Sequence, residues 1–80
     1  MTGMTDRPDL NVLMREVIDL AREARRLARA GGNDVAASSA DNFEQGAANA
    51  YRNQNREQLE NNLTAARSLV EHLRALTPKA

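Results

Sequence analysis

The chain contains no cysteine and no tryptophan, and only one phenylalanine and one tyrosine among its 80 residues. Without cysteine there is neither a disulfide framework nor a thiolate metal site. Two aromatic rings are too few for the stacking platforms on which single-stranded bases are read. An excess charge of one sign is also missing. Eleven basic and eleven acidic residues leave a formal net charge of zero, so no overall positive field gathers a polyanion. No apolar run approaches the ~20 residues that a membrane helix needs. The N-terminus lacks the continuous apolar core of a signal peptide. β-branched residues are scarce, whereas Ala, Leu, Arg, Glu, Gln and Asn are abundant, a composition that favours helix over strand. These absences lead to the expectation of a soluble, cytoplasmic, one-domain protein with no membrane partner. A chain this short buries roughly 60% of the surface its unfolded form exposes.

The strongest positive signal is an apolar seam at Leu10, Leu13, Val17, Leu20, Ala24 and Leu27. Its alternating spacing of three and four is that of an amphipathic helix, close to a coiled-coil seam. Met14, Ala21 and Ala28 widen it into a core-facing stripe. A second seam runs through Leu59, Leu63, Ala66, Val70 and Leu73, with Leu69 and Leu76 beside it. Between them Phe43, Ala47, Ala50 and Tyr51 form a thin, alanine-rich face interrupted by Gly46. Glycine costs about 1 kcal/mol there relative to alanine.

Punctuation between the seams predicts three helices, over residues 7–30, 40–53 and 55–76. Asp6 is the expected cap of the first, with Pro8 tolerated in its first turn. Gly31-Gly32 stops it, because glycine reaches the left-handed C′ conformation without a Cβ clash. Residues 31–40 read as a linker ending in Ser38 or Ser39 as the N-cap of helix 2. Asn53-Gln54-Asn55 reads as a turn, since a straight helix at ~100° per residue would place Phe43 and Leu59 on opposite sides. Asn55 with Gln58 has capping-box spacing. One long or kinked helix spanning both segments is the competing reading. Thr77-Pro78 ends helix 3. The expected fold is an all-α, small antiparallel three-helix bundle over residues 7–77. Residues 1–6 are expected to be a flexible tail and 78–80 a C-terminal one. The alternative is a helical hairpin that dimerises into a four-helix bundle.

Chemistry is hard to place on this chain. His72 is the sole histidine, and no ligand residues stand three or four positions away to complete a metal site. Glu57 and Glu60 suit the positive end of the helix macrodipole and do not form a pocketed acid/base pair. No Gly-rich phosphate loop is present. The expectation is no catalysis, no metal and no cofactor. Arg15, Arg22, Arg26 and Arg29 form the best charged feature, a candidate basic face on helix 1, diluted by Glu16, Asp19 and Glu23 and read first as a solvated outer face. The Asn, Gln and Arg residues of 51–56 can read base edges, but they are also ordinary turn and cap formers.

Residues 47–59, Ala-Ala-Asn-Ala-Tyr-Arg-Asn-Gln-Asn-Arg-Glu-Gln-Leu, followed by Leu63, Ala66 and Val70, resemble the C-terminal helical lid of Hsp70-type chaperones. There one helix ends in a short polar turn and the next opens on a leucine stripe. Helix 1, with Ala21-Arg22-Glu23-Ala24, is similar to the long lid helix. The resemblance implies a lid-like bundle used for protein contacts. The ATPase domain and β-sandwich of that family are absent, so no catalytic or peptide-binding residue carries over. The functional expectation is a non-catalytic protein–protein interaction module: an adaptor, assembly subunit or chaperone-like bundle. Its candidate surface is Leu10, Leu13, Val17, Ile18, Leu20, Leu63, Val70 and Leu73, and a homo-oligomer, a dimer first, is expected. A small nucleic-acid-associated regulator using the arginine face is the alternative.

Overall fold

The computed structural model describes residues 9–76. They form three helices, α1 (Leu10–Ala30), α2 (Asp34–Arg52) and α3 (Arg56–Leu76), and no strand is present among the described residues. Each helix packs on both others. The protein is an all-α three-helix bundle, and neither a hairpin nor one long helix over 40–76. The expected start of helix 1 at residue 7 is corrected: α1 begins at Leu10, with Asp9 extended at its N-cap (φ −63°, ψ 154°) and making no side-chain capping hydrogen bond. Asp6, residues 7–8, the Thr77-Pro78 stop and both tails lie outside the described residues.

The helices run up, down and up, joined by two turns of the same construction. In the first, Asn33 N–H donates to the Ala28 carbonyl at 2.7 Å and Gly32 N–H to that of Arg29 at 3.1 Å. In the second, Asn55 N–H reaches the Ala50 carbonyl at 2.8 Å and Gln54 N–H that of Tyr51 at 3.0 Å. Both are Schellman motifs, and each needs a left-handed residue at C′. Gly32 meets this at φ 71°, and Gln54 does so at φ 57° despite its Cβ. The asparagine closing each turn also opens the next helix. Asn33 Oδ1 accepts from Ala36 N–H at 3.0 Å, and Asn55 Oδ1 accepts from Gln58 N–H at 3.1 Å. The Gln58 side chain answers by accepting from Asn55 Nδ2 at 3.3 Å, so the expected Asn55–Gln58 partnership is present, closed between side chains.

The expected linker over 31–40 is corrected. α2 starts at Asp34, six residues earlier than its spacing indicated, with Asn33 rather than Ser38 or Ser39 as N-cap. The reason is packing. Ala36 and Ala40 are 7% and 0% exposed and join Ala24, Ala28, Val70 and Leu73 in one apolar cluster. Alanine has the best helix propensity, and its burial carries the helix through two serines that favour caps in isolation.

The core is graded along the bundle axis. At the end holding the α2–α3 turn, Leu13, Val17, Leu59 and Leu63 pack with Ala47, Ala50 and Ala66, and Leu10, Met14, Ile18, Leu20 and Phe43 close over them. At the other end the cluster is mostly alanine. Small side chains let helix backbones approach closely. They also bury little area, so the leucines and valines supply most of the hydrophobic stabilisation at about 25 cal/mol per Å².

Candidate interaction surface

The three helices distribute charge unevenly, and this asymmetry defines the surface. Successive residues turn by about 100° around a helix. On that wheel the charged residues of α3 (Arg56, Glu57, Glu60, Arg67, Glu71 and Arg74) occupy an arc of only about 100°. Those of α2 (Asp34, Asp41, Glu44 and Arg52) occupy about 80°. Both arcs turn toward α1. Arg67 lies 3.8 Å from Glu16, and Arg74 donates to Glu23 through Nε at 3.1 Å and through a terminal guanidinium nitrogen. On the α2 side, Arg25 donates to Asp41 at 2.6 Å and to Glu44 at 3.1 Å, while Arg22 reaches Glu44 at 3.4 Å. The hydrogen bond with Asp41 does most to hold the Arg25 guanidinium above its ordinary range; Glu44 adds to it and partial burial opposes it. Arg56 lies in the α3 strip too. Its Nη1 is the one enclosed side-chain nitrogen without a hydrogen-bond partner among the described residues.

The faces of α2 and α3 turned away from α1 therefore carry no charged residue among those described. They present amides, hydroxyls, alanine and the exposed apolar residues Val35 and Leu76, at 78% and 60% exposure. His72 is exposed on the same face. Gly46 faces α3 there: a Cβ built on it would stand 3.2 Å from Asn62 Nδ2. This face was not singled out from the sequence. The charge positions within residues 34–52 and 56–76 carry its signal, and it becomes readable once α1 is known to lie on the charged side of both helices.

The residues that were singled out fall into two groups. Leu13, Val17, Leu63, Val70 and Leu73 are buried within the chain's own core. Leu10, Ile18 and Leu20 are half-buried against it. The seams of helices 1 and 3 are thus occupied by each other and by α2, and in the folded bundle they present little to a second molecule. Of the arginine face, Arg15, Arg22, Arg26 and Arg29 are all exposed. Arg22 is engaged by Glu44, whereas Arg15, Arg26 and Arg29 form no ion pair with another described residue. Arg25, outside the expected set, is the most engaged arginine of α1.

Among the described residues, no group of three or more His, Cys, Asp or Glu side chains is placed to hold a metal ion. No described helix is long and apolar enough to cross a membrane. Comparison with protein-family models, curated proteins and solved structures finds no match to the chain.

Proposed function

We propose that this three-helix bundle is a non-catalytic protein–protein interaction module of the cytoplasm, an adaptor, assembly subunit or chaperone-like bundle. One observation carries the reading: charge is withdrawn from the outward face of α2 and α3 and concentrated around α1. Solvated surfaces of small domains mix both signs of charge, whereas the centres of protein interfaces are depleted of charge. A lid-like role of the kind the sequence resemblance implied has the same requirement, a helical face offered to another protein.

The test is affinity capture from a native extract with the wild-type chain and with a variant carrying Asn42→Lys and His72→Lys, both at exposed positions. A protein retained by the wild type and lost by the variant supports the module. The nucleic-acid reading makes the opposite forecast: binding to nucleic acid that weakens steeply with salt, is lost in Arg22→Ala with Arg26→Ala, and is indifferent to Asn42 and His72. That outcome overturns the proposal.

A further inference from the structure

We infer that the charge-free face of α2 and α3 is a self-association surface, and that its occupant is the same face of a second copy of this chain. The inference rests on the interaction-module reading and names its partner. Three features favour a second copy. The first is electrostatic. In a two-fold dimer each patch meets itself, so a patch dominated by one sign repels its own copy. The outer side of α1, with its exposed Arg15, Arg22, Arg26 and Arg29, would stack arginine near arginine. The α2–α3 face carries no such penalty, and the chain's net charge of zero adds no long-range repulsion between copies.

The second feature is hydrogen-bonding chemistry. Asn42, Gln45, Asn49 and Asn61 are exposed on this face, and each amide is both donor and acceptor. Such groups can be satisfied by their own kind across a two-fold axis, which neither ammonium nor carboxylate groups can do. Val35 and Leu76 supply exposed apolar area at the end of the face where α2 begins and α3 finishes.

The third feature is size. Helices of 19 and 21 residues lying side by side are about 30 Å long and together about 20 Å wide. That footprint is of the order of the ~800 Å² per partner buried in a standard interface. The dimer formed in this way keeps every intramolecular seam intact. Two bundles meet back to back on α2 and α3, with both α1 helices on the outside.

Sedimentation equilibrium of the whole chain, from low to high micromolar concentration, tests this directly. The wild type is expected at twice its 8.8 kDa monomer mass. Asn42→Lys with His72→Lys places like charges on both copies and is expected to raise the dimer dissociation constant at least about tenfold, with unchanged helical circular dichroism. Val35→Asp, at a position 78% exposed, is a second variant that leaves the core untouched and should weaken association in the same sense. Asp19→Lys on the outer side of α1 serves as control and should leave the dimer as it is. A wild type that stays monomeric at high micromolar concentration overturns the inference, as does a dimer that survives both face variants. A wild type that stays monomeric yet retains an extract protein that the Asn42→Lys, His72→Lys variant loses would overturn the self-association while leaving the interaction-module reading in place.

Discussion

Arg74, on the last turn of α3, places two donors on a single carboxylate oxygen of Glu23 in α1. The two residues are 51 apart in sequence. One heptad earlier Arg67 and Glu16 repeat that offset at 3.8 Å, so the parallel register of α1 and α3 is marked by two equivalent ion pairs. Arg74 is 62% exposed and Glu23 25%, and solvent discounts the pair to less than about 1 kcal/mol. Arg74→Ala should therefore lower stability by no more than that in urea denaturation. Arg74→Glu should cost more, because two carboxylates then face each other. Both effects should shrink in high salt. A loss that persists undiminished there would assign the stabilisation to the arginine's aliphatic stem.

Arg25 has a different consequence. Its guanidinium is held above its ordinary range, chiefly by the hydrogen bond with Asp41. A cation whose folded-state pKa is raised contributes stability that is fully present below its unfolded value and lost only as pH rises through the folded one. For arginine that window is strongly alkaline. The difference in melting temperature between wild type and Arg25→Gln should therefore be the same at about pH 7 and about pH 9. A difference that fades between those two values would mean that the network depends on some other titrating group.

The N-terminus of α2 offers a sharper contrast. Asn33 Oδ1 accepts from the Ala36 N–H, and Ser38 stands inside the helix, exposed. Asn33→Ala should cost about 1 kcal/mol, as loss of an N-cap does, while Ser38→Ala should be neutral or slightly stabilising, alanine being the better helix former. The reverse order in a thermal melt would return the start of α2 to the serines.

That boundary shows where sequence reading succeeds on this chain and where it stops. The seams through Leu13 and Val17, and through Leu63, Val70 and Leu73, are legible because large apolar side chains at helical spacing have few destinations other than a core. α2 is harder because its buried face is alanine. Ala36, Ala40, Ala47 and Ala50 are buried, whereas Ala37 and Ala48 on the same helix are half-buried, and residue type alone does not separate them. The second turn is legible because a straight helix would set Phe43 and Leu59 on opposite sides, and the Asn55–Gln58 spacing agrees with it. The same chemistry at Asn33 was masked by Gly31-Gly32 and Ser38-Ser39, which read together as one long linker. The arginines of α1 look equivalent in sequence. Only the antiparallel placement of Asp41 and Glu44 sets Arg25 apart from Arg26. The charge-free face depends on the same information, because an arc of charge has no direction until a neighbouring helix is set against it.

The graded core gives the last prediction. Leu59 and Val17 are the largest side chains fully enclosed, and Ala40 at the opposite end is equally inaccessible. Leu59→Ala removes apolar volume from the leucine-rich end and should cost about 2–5 kcal/mol, including the cavity left behind. That is a large part of the ~5–15 kcal/mol available to a typical domain. Ala40→Leu changes volume in the opposite direction. Ala40 is fully enclosed in the alanine-rich cluster, so the larger side chain is expected to push helices apart, and overpacking of this kind costs about 1–3 kcal/mol. Both variants should therefore lower the urea midpoint, though one shrinks the core and the other enlarges it. If Ala40→Leu instead raised the midpoint, the alanine end would be loosely packed, and the close approach of α1 and α2 near Ala28 and Ala36 would not be what holds that end together.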